Sequence, residues 1–309
     1  MKTSIDWLTF RTKTNPFQTL ELMRPMFETA GDLLTLLAGL KGKDGWLHAG
    51  EIKLADITLG RIDYGGESQR GWVRVNLTGE GCSFVYDWRA CQELVDTLQE
   101  GQIKRLDIAL TTFEGEIGHE LVIAAHGRNE FCSGGRQPHY HMVGGGSDPR
   151  AGRTIYIGKR EGSDKMLRCY EKGLEMLTMV PESLRRNVTH IEGAIVEKIY
   201  RVELELKANE KHIPWSAIMQ RDEVFAASYP FCASLLPGVA HMKLEKLPDL
   251  KPIMALESKL DHCRRAYGPI LRAALLAHGG DRNKVLDRIL SESPSSALIE
   301  AGVLTVEHY

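Results

Sequence analysis

The 309-residue chain lacks the long hydrophobic runs that membrane or secreted proteins carry. No apolar stretch approaches the roughly 18 residues that a membrane-spanning helix needs. The first segment contains Asp6 and no hydrophobic stretch of signal-peptide length. We therefore expect a cytoplasmic protein with no membrane partner.

Paired cysteines are also missing. The six cysteines are scattered without any Cys-x-x-Cys pair, which argues against both a zinc ribbon and a disulfide-stapled secreted domain. We predict that they are free thiols. Hydrophobic residues make up 43% of the chain, which is enough for the core of an ordinary globular protein.

The chain has little excess charge of either sign. A net charge of −2 excludes a general positive coat, so contact with a polyanion would have to be local. Residues 150–172 form such a local patch, with seven basic residues against three acidic ones. A charge run of this size is most often only a solvated face. The basic residues are Arg150, Arg153, Lys159, Arg160, Lys165, Arg168 and Lys172.

The hydrophobic periodicity predicts an α+β fold with a mixed or antiparallel sheet and a helical C-terminal region. Alternating apolar positions predict strands at 4–10, 52–62, 72–77, 106–110, 153–160, 166–172 and 200–207. Helical spacing predicts one or two helices in 17–40, and further helices at 87–98, 118–126, 224–236, 254–267, 269–278 and 283–290. A turn at Gly279 and Gly280 should end one of these helices.

Two domains are expected, residues 1–215 and 216–309. Within the first, residues 5–10 (IDWLTF) are echoed by 106–113 (LDIALTTF), and a predicted helix follows each segment. The echo raises the possibility of two related strand-helix-strand halves, 1–100 and 101–215.

Tyr170 is the first candidate for chemistry. Residues two apart share one face of a strand, so Arg168, Tyr170 and Lys172 should project together, with the tyrosine exposed. Two flanking cations would favour the phenolate and could hold a phosphodiester beside it. The alternative is a surface tyrosine on an amphipathic strand, without a catalytic role.

Carboxylates follow the same alternation on two other strands. Asp107 should share an exposed face with Arg105, and Glu203 should share one with Glu205. Carboxylates on neighbouring strands suit Mg²⁺ or Mn²⁺, because these hard ions prefer oxygen ligands. The alternative is that they form cross-strand ion pairs with Arg105, Arg201 and Lys207 and do nothing more.

His139 and His141 form a His-x-His pair, an arrangement that binds metal in one class of DNA-nicking enzymes when it lies on a strand. Here glycine-rich segments flank the pair, which is typical of a loop. We therefore do not assign the metal to these histidines.

Five segments of the chain form an ordered set of motifs: 105–109 (RLDIA), 134–138 (GGRQP), 152–160 (GRTIYIGKR), 164–172 (DKMLRCYEK) and 201–206 (RVELEL). Taken in this order, they resemble the replication initiation factor family of filamentous phages, rolling-circle plasmids and conjugative elements. Similarity seen at residues 229–232 and 267–268 extends the resemblance over roughly residues 100–270.

The resemblance implies the fold of a rolling-circle initiator, which binds a double-strand origin and nicks one strand. Its tyrosine, here Tyr170, would form a 5′-phosphotyrosine link and release a 3′-OH, assisted by Arg168 and Lys172. The metal, Mg²⁺ or Mn²⁺, would be held by Asp107 and by Glu203, Glu205 or both. We assign DNA contacts to Arg105, Arg153, Lys159, Arg160, Lys165 and Arg201.

The resemblance also has consequences for partners. Transesterification conserves the phosphodiester energy, so the absence of a nucleotide-binding P-loop is expected. A host helicase would unwind the DNA, and a host polymerase would use the 3′-OH in a bacterial cell. No second tyrosine lies one helical turn from Tyr170, so two cleavages per round would need either two chains or a water molecule, and we favour a homodimer.

Thr111 and Thr112 depart from the family pattern, since members often carry further acids there. Two rival interpretations stay open, and the departure at Thr111 and Thr112 supports the second of them. One is a relaxase of a mobile element, which uses the same chemistry for conjugative transfer. The other is a noncatalytic DNA-binding regulator derived from an initiator.

Overall fold

The computed structural model describes residues 1–145, 152–246, 251–291 and 293. The chain divides into two compact units, Met1–Lys246 and Leu247–Tyr309. Among the described residues, no helix combines the length and hydrophobicity that a membrane span requires.

The first unit is built on one ten-stranded sheet in which every pairing is antiparallel. The predicted α+β fold is therefore confirmed, with an antiparallel sheet. Its strands are β1 (Thr3–Thr12), β2 (Leu34–Lys41), β3 (His48–Leu54), β4 (Ile57–Tyr64), β5 (Val73–Leu77), β6 (Gln102–Thr112), β7 (Tyr140–Gly144), β8 (Arg153–Ile157), β9 (Lys165–Tyr170) and β12 (Tyr200–Lys207). A separate two-stranded ribbon pairs β10 (His190–Ile191) with β11 (Ala194–Ile195).

Short helices connect these strands. They are α1 (Pro16–Met23), α2 (Gly79–Ser83), α3 (Ala90–Thr97), α4 (His119–Gly127), α5 (Lys172–Leu177), α6 (Glu182–Arg185), α7 (Ser216–Met219), α8 (Arg221–Ser228) and α9 (Pro230–Leu235). Single 3₁₀ segments occur at Arg24–Leu33, Glu67–Gln69 and Val196–Lys198.

The chain follows the same path through the two halves of the sheet. β1 and β6 lie side by side, and outward from them run β5, β4, β3, β2 on one side and β12, β9, β8, β7 on the other. Each half therefore leaves its first strand, builds an outer meander and returns beside that strand. The echoed segments 5–10 and 106–113 fall on or beside these two central strands. A duplicated unit would give this order, although duplication itself stays a prediction.

The two faces of the sheet differ in polarity because apolar and polar residues alternate along its strands. Leu106, Ile108 and Leu110 of β6 are buried in the main hydrophobic cluster. Val122 of α4 and Phe131 lie in the same cluster, so helices cover this face. Asp107, between two of those β6 positions, lies on the opposite face, as do the polar residues paired with it on neighbouring strands.

Three local predictions were wrong. Residues 34–40 form β2, because they pair with β3 and Glu28 at φ 47° interrupts the preceding helical segment. The single strand predicted at 52–62 is two strands joined by a tight turn, with Ala55 at φ 51°. His141, predicted to lie in a loop, lies on β7, where pairing with β8 satisfies its backbone.

The first unit continues past residue 215. Val224, Phe225 and Phe231 of α8 and α9 lie in the same buried cluster as the sheet residues, and the unit ends at Lys246. The functional division into a catalytic domain, 1–215, and a helical region, 216–309, stays a prediction.

The described residues of the second unit form two helices, α10 (Lys251–Ala277) and α11 (Arg282–Ile289). Pro269 lies inside α10, where the sequence predicts a break between two helices. Gly279 and Gly280 have φ values of 63° and 85°, which confirms the predicted helix-ending turn. Asp281 then caps α11 by accepting hydrogen bonds from the backbone of Asn283 and Lys284.

Candidate active site

The predicted site residues meet on the polar face of three neighbouring strands, β6, β12 and β9. Strand register brings them together, since directly opposed residues of antiparallel strands share a face. Arg201 of β12 lies opposite both Tyr170 and Thr111. Two positions along β12, Glu203 lies opposite Arg168. Glu205, the next residue on the same face of β12, lies opposite Asp107 on β6 and Met166 on β9.

Tyr170, Glu203 and Arg168 form a hydrogen-bonded chain. The Tyr170 hydroxyl donates to Oε2 of Glu203 at 3.2 Å. Nη2 of Arg168 donates to both carboxylate oxygens of Glu203, at 2.7 and 2.6 Å, and holds this carboxylate in place. The Arg168 guanidinium also lies 5.0 Å from the centre of the Tyr170 ring. A potential nucleophile is thereby joined to an acceptor that a third group orients.

The predicted exposure of Tyr170 was wrong. The residue is 5% exposed, and burial raises the pKa of its phenol well above the ordinary value. The negative charge of Glu203 raises this pKa further, while Arg201 and Arg168 lower it. The two cations that the sequence places beside the ring therefore do not produce a phenolate. The side chain is a neutral phenol that needs a proton acceptor.

Lys172 does lie near Tyr170, but not on its strand. β9 ends at Tyr170, and Lys172 is the first residue of α5. Its Nζ lies 5.9 Å from the centre of the tyrosine ring and 2.5 Å from a carboxylate oxygen of Glu175. The predicted proximity of Lys172 to the ring is thus reached by the chain turning at the strand end.

Asp107 and Glu205 share Arg105. Its guanidinium donates to both oxygens of Asp107 at 2.8 and 2.5 Å and lies 2.8 Å from Glu205. Glu205 also has Lys207 at 2.8 Å and Arg160 at 3.6 Å. The three candidate carboxylates, predicted to be exposed, are buried: Asp107 is 1% exposed, and Glu203 and Glu205 are each 3% exposed.

Burial changes the acidity of Asp107. It raises the pKa of this carboxyl to about 7, although Arg105 acts in the opposite direction. The nearby charges of Glu203 and Glu205 raise the pKa further. Three buried carboxylates within one network therefore repel one another, and their stability depends on the cations between them.

Mg²⁺ or Mn²⁺ would find oxygen ligands here, but not a preformed three-carboxylate site. Among the residues that the structure describes, no three histidine, cysteine or acidic side chains are placed to hold one ion together. Glu203 is bound by Arg168, and Asp107 and Glu205 are bound by Arg105. As arranged, the residues do not fit a metal held by all three carboxylates. A metal requirement stays a prediction.

The six basic residues assigned to DNA contacts fall into two groups. Four of them already bind groups within the protein. Arg105 pairs with Asp107 and Glu205, and Arg153 pairs with Glu171. Arg201 binds Asp6 and Thr111, and Lys165 donates hydrogen bonds to Ser133 and to the Ser228 carbonyl. Burial lowers the pKa of Lys165 to about 8. Lys159 and Arg160 are exposed, and they are the members best placed to meet a DNA backbone.

Several site residues were missed from the sequence. Asp6 reaches the site across the sheet and forms a 2.7 Å ion pair with Arg201. Trp7 lies opposite Asp107, and its ring lies 4.8 Å from the Arg105 guanidinium. Tyr156 lies opposite Arg168 on β8. Alternation along each strand shows which face these residues occupy, but only strand order and register show what they meet.

Thr111, where the family often has an acid, accepts a hydrogen bond from Nε of Arg201 at 2.9 Å. Thr112 points to the other face, where its hydroxyl donates to the Tyr200 carbonyl. Thr111 thus contributes to the site by holding Arg201 opposite Tyr170, without adding a negative charge.

Comparison with known proteins gives one family. The model of the replication initiation factor family matches residues 101–251. A solved structure of a rolling circle replication initiator protein from Geobacillus stearothermophilus aligns with a TM-score of 0.48 and 20% identity, covering 67% of this chain and 74% of that one. No curated protein matches the chain. The resemblance predicted from the motifs is confirmed, since residues 101–251, which carry Asp107, Tyr170 and Glu203, match the replication initiation factor family.

Proposed function

We propose that this protein initiates rolling-circle replication by nicking DNA, with Tyr170 as the nucleophile. The observation that carries the proposal is the hydrogen bond from the Tyr170 hydroxyl to Glu203, whose carboxylate Arg168 orients. The match of residues 101–251 to the replication initiation factor family supports the initiator role.

The chemistry follows from a neutral, buried phenol. As the Tyr170 oxygen attacks phosphorus, Glu203 accepts the phenol proton, and the bond from phosphorus to the 3′ oxygen breaks. That 3′ oxygen takes a proton and becomes a free 3′-OH, while the 5′ phosphate stays on the tyrosine. The reverse steps rejoin the strand without ATP. Arg168 and Arg201 lie beside the tyrosine and can stabilise the charge that builds on the phosphate.

Incubation with supercoiled DNA and with single-stranded oligonucleotides from its own replicon tests this function. An initiator should relax the supercoiled DNA and form a covalent adduct with an oligonucleotide. A noncatalytic regulator would shift the DNA in a gel and leave it intact. A relaxase would nick as well, but at a transfer origin instead of a replication origin.

Lys159 and Arg160 should account for a measurable part of the salt dependence of DNA binding. Replacing Lys159, Arg160 and Lys165 together by Gln should weaken binding and lower the slope of log K against log salt by about two, because each lost phosphate contact removes nearly one unit. Two are expected, and not three, because Lys165 is held by Ser133 and the Ser228 carbonyl. Fluorescence anisotropy across a salt series measures this slope.

The matched control is Lys165→Gln alone, which should leave the slope nearly unchanged. A fall of one unit in this single variant would show that Lys165 releases its internal partners and binds phosphate. An unchanged slope in the triple variant would remove Lys159 and Arg160 from the DNA contact.

Asp107 should make stability depend on pH. Its pKa of about 7 in the folded protein exceeds the value near 4 of an unfolded chain, so the folded state binds more protons between about pH 4 and 7. The contribution of Asp107 to the free energy of unfolding is therefore most favourable at low pH, and it falls as pH rises through that window. Asparagine cannot ionise, so Asp107→Asn should not lose this contribution. We therefore expect the melting temperature of Asp107→Asn minus that of wild type to be a few degrees higher at about pH 8 than at about pH 5.

Asp63 provides the control for this measurement. It is equally buried, but Arg61 and Arg74 both donate to it, so Asp63→Asn should destabilise the protein at both pH values. If the difference between wild type and Asp107→Asn did not change with pH, the pKa of Asp107 would not be raised by folding. The assigned pKa would then be wrong.

Dependence on Mg²⁺ or Mn²⁺ is part of the proposal, and it requires that Arg105 or Arg168 release a carboxylate when the ion binds. Single-turnover cleavage should be lost in EDTA and restored by either ion. Cleavage that persists in EDTA would show that the cations already bound to Asp107, Glu203 and Glu205 replace the metal.

The proposed partners follow from the reaction. They are double-strand origin DNA, the single strand exposed there, a host helicase and a host DNA polymerase. A homodimer would supply a second Tyr170 for the closing cleavage. Mixing wild-type protein with the inactive variant Tyr170→Phe tests this, since mixed dimers should nick but fail to close.

A further inference from the structure

A cleft of about 1060 Å³ lies on the outer side of the candidate active site. It is formed by the β7–β8 hairpin, by the turn that leads from β8 to β9, and by Tyr229. Its volume is at the upper end of the range in which proteins hold ligand-sized molecules, roughly 300–1,000 Å³. The chemistry proposed above does not use this space.

Three contacts place the cleft beside Tyr170. Tyr156, which lines the cleft, lies directly opposite Arg168, the residue that stacks near the Tyr170 ring. Met166, also a lining residue, lies opposite Glu205. Arg160 lines the cleft and lies 3.6 Å from Glu205. A molecule in the cleft would therefore be a close neighbour of the phosphate that Tyr170 attacks.

The lining favours an anionic ligand. Arg136, Lys159, Arg160 and Lys165 border the space, and Glu161 is its acidic member. Lys159 is exposed, so its charge is available to a phosphate group, and Arg160 is exposed although its guanidinium lies 3.6 Å from Glu205. Phosphates are the anions that an enzyme acting on DNA brings to this place.

The lining also carries a flat aromatic pair. The rings of His141 and Tyr156 are stacked, with centroids 4.9 Å apart and an angle of 12° between their planes. His141 is exposed and Tyr156 is half-buried, so a base could extend this stack. Stacking on aromatic side chains, combined with nearby cations, is how proteins bind single-stranded nucleic acid. A purely structural stack would not require the surrounding positive charge.

We propose that this cleft binds a nucleotide of single-stranded origin DNA next to the scissile phosphate, with its base stacked on the His141–Tyr156 pair. The inference rests on the proposed nicking function and adds a subsite to it. A base inside a duplex already stacks on its neighbours and cannot enter, so the cleft selects an unpaired strand.

Binding without chemistry tests the subsite. In the Tyr170→Phe background, fluorescence anisotropy should show that oligothymidylate binds more tightly than an abasic oligomer of equal length. Adding Tyr156→Leu should weaken oligothymidylate binding about tenfold and leave the abasic oligomer unaffected. Tyr156→Phe keeps the ring and should behave as the unsubstituted protein does. An equal effect of Tyr156→Leu on both oligomers would overturn the proposal.

Abasic scanning of a cleavage substrate tests the position. With wild-type protein, one abasic site within a nucleotide or two of the nick should lower kcat/KM about tenfold, and Tyr156→Leu should abolish that penalty. A penalty that survives in Tyr156→Leu would place the base elsewhere. The Tyr170 adduct should still form in Tyr156→Leu at saturating protein. The two proposals can therefore fail separately. If the nicking function is wrong, wild-type protein will form no adduct, and if only the subsite is wrong, the adduct will form but the abasic penalty will not depend on Tyr156.

Discussion

Tyr170→Phe should abolish the covalent protein–DNA adduct and lower the nicking rate by at least about a thousandfold. Only one oxygen is removed, and among the described residues its hydrogen bond is the one donated to Glu203. The buried ring, with Arg168 beside it, stays in place, so DNA affinity should change little. Adduct formation on a labelled oligonucleotide, with binding followed by anisotropy, measures both quantities.

Tyr200→Phe is the matched control. Tyr200 is as buried as Tyr170, but it points to the helix-covered face, where its hydroxyl has no hydrogen-bond partner among the described residues. This variant should form the adduct normally. An adduct that persists in Tyr170→Phe would contradict the central proposal and leave the exposed Tyr140 and half-buried Tyr156 as candidates.

Glu203→Gln should lower the single-turnover cleavage rate by about a hundredfold to ten-thousandfold, the usual contribution of a general base. Glutamine can accept the hydrogen bond from Tyr170 but cannot take its proton. Because burial raises the pKa of the phenol, the residual rate should depend on hydroxide and increase with pH up to the limit of stability. A hydroxide-dependent rate of this kind separates a lost base from a misfolded protein.

Glu175→Gln is the control for the change in charge. Glu175 pairs with Lys172 close to the tyrosine, but it is exposed and does not contact the phenol. It should cleave near the wild-type rate. Since Glu203→Gln leaves Arg168 without its carboxylate, Glu203→Gln with Arg168→Gln should recover stability but not the rate. Wild-type cleavage by Glu203→Gln would remove the base assignment.

The fold class and most strands could be predicted from the sequence, because alternation with a period of two is a local property. The strand at Tyr200–Lys207 was predicted to the residue. Prediction failed where a partner strand decides the structure. Residues 34–40 have an apolar content that also suits a helix, and they form β2 because β3 lies beside them.

The candidate site shows the same division. Alternation correctly grouped Arg168 with Tyr170, and Arg201 with Glu203 and Glu205, each set on one face of its strand. It could not show that β12 lies between β6 and β9, which brings Glu203 to the Tyr170 hydroxyl. It also treated polar strand residues as exposed, whereas Asp107, Glu203 and Glu205 are buried beneath their own cation partners.

By itself, the sequence determined the alternation of residue types along each strand, because this pattern is a local property of the chain. Its motifs also predicted the resemblance to the replication initiation factor family. Only the tertiary structure decided that Tyr170 is a neutral phenol and that Glu203 accepts its hydrogen bond. It also decided that Arg105 and Arg168 occupy the carboxylates expected to bind metal. The physical reason is that pKa and ion pairing depend on desolvation and on charges within a few ångströms, and the Glu203 carboxylate beside Tyr170 comes from a strand over thirty residues away in the chain.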